Sequence, residues 1–483
     1  MKFIEVSRFN KIPKDIQDML LASGVLPVTP VTMWTWDAIN AKDENGNRKY
    51  KYIIGKGSSR SGKTFGYIDC LDRYCRENKG KRCTVWRDTK TDCVNTVLND
   101  IKRHLGNTNR WKKKFAFNET RSVLKYEQNS TIEIQGTDQE NTVMGLTSGV
   151  AWLNEPYKIP REIFNQIDQR TEDFMLLDLN PKMGHWSDDL AKDPRCIVIH
   201  STFADNPLCP EESKAKILSY QPVSMCHLVE SGLITKEQAN EYDIEKNVSG
   251  FDVKYLKELA RCRENEFKNS ASAFNWSVYG LGLKAEKPNR IFSFTEIPDE
   301  EFHAVNAPIY TGVDWGAVDP WGIVDIKYYD GGLYLHERNY LSENLIRASL
   351  TTTERTQIDS ADEGIVKWKF GKLGIPKNRV IVCDNNRTSK IIALRQAGWE
   401  YAVAAIKPKG SVLDGIDLVN NLRVYYTRSS ENIRYEQENY SRKVDPHGVV
   451  LEDPEDKDNH IMDPTRYVAE FLAHPNQGII KKA

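Results

Sequence analysis

Apolar residues along the chain recur with two periods. Short runs rich in Val, Ile and aromatic residues, bounded by glycine or polar clusters, predict strands at 50–57, 82–87, 131–134, 150–153, 174–179 and 196–200. After the first of these, Phe65, Ile68, Leu71 and Tyr74 fall three apart, the spacing of one helix face. Strands alternating with helical stretches predict a largely parallel α/β sheet. Residues 211–218, 235–242 and 253–267 read as charged helices. Near 280–300 the texture changes, and Gly280, Gly282, Pro288 and Pro298 mark a linker. Beyond it, strands are predicted at 309–316 and 322–329. The Asp330-Gly331-Gly332 turn then leads into 333–337, which makes three antiparallel strands. A further strand at 379–384 is followed by a helix from Ser389 to Gln396. The pattern predicts two units, 1–285 and 300–483, with a helical and linker sub-region at about 210–285 in the first.

Composition narrows the class. The 483 residues are 40% hydrophobic and 28% charged, enough apolar material for more than one core. The formal net charge of −1 excludes a global basic field, so any nucleic acid must be held by a local patch. Nine cysteines are scattered without a C-x-x-C pair, which argues against a zinc ribbon and for free thiols in a reducing compartment. Met1-Lys2-Phe3-Ile4-Glu5-Val6 has no apolar signal-peptide core, and no run approaches a spanning helix. A soluble intracellular protein with no membrane partner is expected.

Gly57-Ser58-Ser59-Arg60-Ser61-Gly62-Lys63-Thr64 fits the phosphate-loop pattern G-x-x-x-x-G-K-[ST], between a predicted strand and a predicted helix. In such a loop, backbone N–H groups and a helix N-terminus face phosphate oxygens. Lys63 is expected to reach the β- and γ-phosphates of ATP, and the Thr64 hydroxyl to ligate Mg²⁺. Downstream, Gly149-Val150-Ala151-Trp152-Leu153-Asn154-Glu155 is an apolar strand ending in an acid. Glu155 is placed to act as the base that orients water. The aspartate usual before such a glutamate is Asn154 here, which brings no charge.

The second half carries a different chemistry. Asp314 and Asp384 end predicted strands, and Asp463 precedes Pro464 at a predicted helix start. Carboxylates drawn to one point repel, and divalent metal is the usual remedy. Two ions about 4 Å apart would serve phosphodiester cleavage.

The ordered series resembles the large terminase subunit of tailed bacteriophages. The phosphate loop with Arg60, the segment Trp152-Leu153-Asn154-Glu155, Asn180-Pro181 followed by His185-Trp186, and Thr202-Phe203-Ala204-Asp205-Asn206-Pro207 are similar to that family's first half. Gly312-Val313-Asp314-Trp315-Gly316, Asp384-Asn385-Asn386-Arg387-Thr388-Ser389-Lys390-Ile391 and Asn459-His460 with Asp463, Arg466 and Tyr467 resemble its nuclease half. The resemblance implies an N-terminal RecA-like P-loop ATPase domain with a mostly parallel sheet, and a C-terminal ribonuclease-H-like nuclease domain with a mixed sheet. It implies ATP with Mg²⁺ on residues 57–64, with Lys63, Arg60 and Glu155 as the catalytic groups. Asp314, Asp384 and Asp463 would hold two Mg²⁺ or Mn²⁺ ions. The implied partners are double-stranded DNA, the portal protein of a procapsid, a small terminase subunit and further copies of the chain in a ring, within the host-cell cytoplasm. Arg87 and Arg121 are options for an arginine acting on a neighbouring subunit. A host-type DNA repair or recombination ATPase-nuclease is the alternative, and it would carry a second RecA-like fold with helicase motifs. A non-catalytic packaging scaffold is opposed by intact Gly62, Lys63, Thr64 and Glu155.

Overall fold

The computed structural model describes all residues except 139–141, 182, 245–249, 359–361, 409, 446–449 and 474–483. After a parallel pair, β1 (Lys2–Glu5) and β2 (Val25–Val28), the first sheet comprises eight strands. They are β3 (Tyr52–Gly57), β4 (Arg82–Arg87), β5 (Phe115–Asn118), β6 (Val123–Tyr126), β7 (Thr131–Gly136), β8 (Ser148–Asn154), β9 (Thr171–Leu179) and β10 (Cys196–Ser201). The order is β10-β3-β9-β8-β4-β7-β6-β5. Only the β7–β6 and β6–β5 pairs are antiparallel.

The run of apolar residues in β8 follows from burial on both faces, since all seven of its residues are buried. Successive residues alternate between two cores. Val150, Trp152, Phe174 and Leu176 face the helix Lys63–Glu77 with Ile68, Leu71 and Tyr74. Ala151, Leu153, Met175 and Leu177 face the helix Arg161–Gln169 with Ile163, Phe164 and Ile167. The predicted helices at 211–218 and 253–267 are present as Glu211–Leu218 and Val253–Phe267, and the second helps to build a small separate core of Val223, Leu228, Leu256, Leu259 and Cys262.

The second sheet contains β11 (Thr295–Ile297), β12 (Ile309–Asp314), β13 (Gly322–Tyr329), β14 (Gly332–Asn339), β15 (Val380–Cys383), β16 (Ala402–Ala404) and β17 (Arg423–Thr427), in the order β11-β17-β14-β13-β12-β15-β16. The three-stranded meander is present, and its Asp330-Gly331 turn holds both residues at positive φ, as a tight hairpin requires. β15 and β16 run parallel to β12. This β14-β13-β12-β15-β16 succession is the ribonuclease-H-like order. Helices cover both faces: Ser411–Asn420 and Met462–Ala473 on one, Asp362–Lys372 and Thr388–Gln396 on the other. Ile291 and Phe292 belong to the second core, and β11 edges its sheet.

The two units meet where the helix Glu431–Asn439 contacts Arg161, Met183 and Asp189. Arg161 pairs with Glu431 at 2.9 Å, Arg434 with Asp189 at 3.2 Å, and Asn439 Nδ2 donates to the Met183 carbonyl at 3.0 Å. No helix among the described residues is long and apolar enough to cross a membrane.

Candidate functional site

The phosphate loop lies at the carboxyl end of β3, between β10 and β9. Its shape is fixed from outside. The Ser58 amide donates to the Ser201 carbonyl at 2.8 Å, the Phe203 amide to Ser58 Oγ at 2.7 Å, and Ser201 Oγ to Ser61 Oγ at 3.1 Å. A Cβ at position 57 would sit 1.9 Å from the Ser201 oxygen, so only glycine permits this closeness. Gly62 caps the following helix at φ 91, a conformation costly for any residue with a side chain. Arg60 also has positive φ, held by Asn206 Nδ2 donating to its carbonyl at 2.8 Å, and its side chain is exposed at the rim. The segment Thr202–Pro207 therefore braces the loop. On its other side, Gly282 of the linker lies against the backbone of Gly57 and Ser58.

Lys63 is only 8% exposed. Its ammonium donates to the carbonyls of Gly57 (3.2 Å) and Ser58 (2.8 Å), to Ser61 Oγ (3.1 Å) and to Asn180 Oδ1 (3.4 Å). Burial pushes it down to about 8, against the attraction of Asp178 and Glu155. Thr64 Oγ1 donates to Asp178 Oδ2 at 2.9 Å. Asp178 stands on β9, between the phosphate-loop strand β3 and β8, and opposite Asn154 in register. It also accepts from Trp152 Nε1 at 2.7 Å and from Asn154 Nδ2 at 3.0 Å. Sequence reading passed over this residue. Its signal was a lone carboxylate inside the apolar run Phe174–Leu179.

Glu155 follows β8 in a left-handed conformation, φ 47 and ψ 60, which costs a non-glycine residue about 1–3 kcal/mol and is characteristic of working sites. Its Oε2 accepts from Arg87 Nη2 at 3.1 Å, and Arg87 Nη1 also donates to Asn154 Oδ1 at 3.1 Å. Arg87 thus grips the glutamate of its own chain. Arg121 is exposed in the β5–β6 turn. Asn180 joins Lys63 to Tyr157, whose hydroxyl accepts from the Asn180 amide at 2.6 Å and donates to its carbonyl at 3.0 Å.

The second group of acids gathers at one end of the second sheet. Asp314 ends β12 and Asp384 follows the adjacent β15, with the Asp384 amide donating to the Val313 carbonyl at 2.8 Å. Asp463 enters from the first turn of Met462–Ala473, where Pro464 lacks the N–H that the helix start does not use. Each acid is turned toward a cation of this chain. Lys407 Nζ bonds Asp384, His460 Nδ1 lies 3.5 Å from Asp314, and Arg466 Nη2 donates to Asp463 at 2.8 Å. Among the described residues no three carboxylate, histidine or thiolate side chains close to metal-ligating geometry. The acids nevertheless act on one another. Burial, with the charges of Asp463 and Asp384, raises Asp314 above the ordinary carboxylate range, against the pull of His460. Burial and the same three acids raise the Tyr467 phenol. The donor set suits a divalent cation, which would take over the work of the three cationic side chains.

One further residue, absent from the sequence reading, holds this end together. Glu436, fully buried, accepts from Tyr340 OH (2.7 Å) and from the amides of His460 (2.8 Å), Ile461 (2.7 Å) and Met462 (3.2 Å). Glu436→Ala strands those donors. It is expected to cost about 3 kcal/mol and to lower the melting temperature by about 6–12 °C, with loss of any metal-dependent cutting. An unchanged melting curve would show that the loop before Asp463 is held by other means. A cavity of about 610 Å³ lies between the two units, lined by Glu155, Tyr157 and Asn180 from the first and Asp319, Tyr435 and His460 from the second.

No family model and no curated protein matches the chain. Among solved structures it is similar to the large terminase of a thermophilic bacteriophage, at 16% identity and a TM-score of 0.37, over 93% of this chain and 100% of that one. It is similar to the HK97 bacteriophage large terminase at 13% identity and a TM-score of 0.39, over 92% and 95% of the two chains. It is also similar to the nuclease domain of the bacteriophage SPP1 large terminase, solved with bound Mn, at 23% identity and a TM-score of 0.30, over 38% and 98%.

Proposed function

We propose that this chain is an ATP-driven motor that moves viral double-stranded DNA into a procapsid and cuts concatemeric DNA with a two-metal endonuclease. One observation carries the reading: a braced phosphate loop with its strand-end Glu155 and three carboxylates gathered at one end of a ribonuclease-H-like sheet occur in one chain.

In the first site, the loop amides of residues 57–64 and the N-terminus of Lys63–Glu77 would bind the phosphates of ATP. Lys63 neutralises their charge and Thr64 would hold Mg²⁺. The bound ion would screen phosphate charge. Glu155 orients the attacking water once Arg87 releases it, and Arg60 at the rim is free to reach the transferring phosphoryl group. Lys63 touches Asn180, and Met183, three residues on, touches Asn439 of the second unit, so changes at the loop have a contact route to the nuclease. In the second site, Asp314, Asp384 and Asp463 would hold two Mg²⁺ or Mn²⁺ ions, whose chemistry is to activate water and stabilise a leaving oxygen. The net charge of −1 suits a duplex held loosely enough to slide. The portal protein, a small terminase subunit and a ring of copies in the host cytoplasm belong to the same reading.

Incubation of supercoiled plasmid with the chain and Mn²⁺, beside ATP turnover and DNase protection of DNA added with procapsids, tests the proposal. Nicking, turnover and protected DNA together are expected. Nicking and turnover without portal binding or protection would favour the repair ATPase-nuclease instead. The second sheet speaks against that alternative, because it is built on the antiparallel meander β12-β13-β14, which a second RecA-like fold with its parallel core would not contain.

A further inference from the structure

The residue before Glu155 is an amide where phosphate-loop enzymes place a carboxylate. The structure holds a carboxylate within bonding distance of that amide. Asn154 on β8 and Asp178 on β9 are register partners, and Asn154 Nδ2 contacts both Asp178 oxygens at 3.0 Å. The Thr64 hydroxyl, the group expected to meet the metal, points its hydrogen at Asp178 and not at Asn154. The carboxylate is 2% exposed, and among the described residues it forms no ion pair; the charge of Lys63 acts on it without bonding it. Its donors, Thr64, Trp152 and Asn154, are all neutral. A buried carboxylate with only neutral partners is costly unless a cation completes it. Trp152 Nε1 and Asn154 Nδ2 hold Oδ1, and Asn154 Nδ2 and Thr64 Oγ1 hold Oδ2, which turns that oxygen to the phosphate-loop helix at Thr64.

We infer that Asp178 replaces the missing aspartate of β8: the negative charge that holds nucleotide-bound magnesium has moved across one strand pair, and Asn154 is kept as the donor that aims it. Asp178 is thus a positioning residue, acting through Thr64 and the water shell of the ion. This inference rests on the reading of residues 57–64 as the ATP site.

The test is binding of a non-hydrolysable ATP analogue to the full-length protein with and without Mg²⁺, with Mn²⁺ as a spectroscopic substitute, and a melting curve for each variant. In the wild type Mg²⁺ is expected to tighten binding by about tenfold or more. Asp178→Asn is expected to lose that gain while binding the Mg²⁺-free analogue as well as the wild type or better. The double variant Asn154→Asp/Asp178→Asn, which returns the carboxylate to β8, is expected to recover the gain and the bound-Mn²⁺ signal to within about threefold. If Asp178→Asn does not fold, the double variant decides by itself. A folded double variant without the Mg²⁺ gain, or Asp178→Asn with the gain intact, overturns the inference. A wild type that binds no nucleotide at all overturns the ATP reading instead.

Discussion

Asp384→Asn is expected to abolish metal-dependent DNA cutting, by about 10³-fold or more, while ATP turnover stays within about twofold of the wild type. The substitution keeps shape and removes one charge at a position only 4% exposed, just past β15, the strand adjacent to that of Asp314. In the wild type the Lys407 ammonium balances that charge. In the variant the ammonium remains, and the local field turns positive where the proposed divalent ions would bind. Metal affinity falls first and cutting falls with it. Plasmid nicking across a Mn²⁺ titration measures both, and isothermal calorimetry separates lost binding from lost chemistry. The proposed nucleotide site is built on the other sheet, so a folded variant that also lost ATP turnover would refute the division of labour.

Lys63→Ala is the mirror experiment. Turnover is expected to fall by about 10²–10⁴-fold, with nicking by the isolated chain preserved. Lys63 is the one cation within bonding distance of the loop interior among the described residues, where it holds two carbonyls, Ser61 Oγ and Asn180 Oδ1. Alanine removes the phosphate counter-charge and leaves those acceptors for water. A modest drop in melting temperature therefore accompanies the catalytic loss. Glu155→Gln separates the two effects: it leaves Lys63 and the loop untouched and is expected to bind nucleotide normally while failing to turn it over. Nucleotide binding by a fluorescent analogue, turnover by phosphate release and plasmid nicking give the three readouts. Unchanged turnover in folded Lys63→Ala would remove the loop from the mechanism.

Much of the architecture was legible along the chain because it is written at short range. The doubly buried strand β8 announces itself as an unbroken apolar run, the helix after the phosphate loop by its spacing of three, and the Asp330-Gly331 hairpin by the two residues that tolerate positive φ. The hairpin β5–β6 and strand β17 escaped notice. They are four or five residues long, partly exposed and interrupted by polar residues, so packing against neighbours holds them as strands, not any local pattern.

The two sites divide along the same line. The phosphate loop is one contiguous segment of eight residues, so its sequence determined its place, while residues 201–206 brace its form. The acids at 314, 384 and 463 could be proposed from strand ends, but their shared end of the sheet depends on β15 inserting beside β12 after 65 intervening residues. That adjacency is a matter of crossover connections and of which apolar faces bury together. Asp178, Arg87, Lys407 and Glu436 act only through partners distant in the chain: Thr64, Glu155, Asp384 and the amides of 460–462. Sequence by itself determined the period-two and period-three elements, the phosphate loop and the hairpin turn, because each is a property of a few consecutive residues. Only the tertiary structure decided which strands became neighbours, and so which charge faces which, because register and burial are set by the whole core at once.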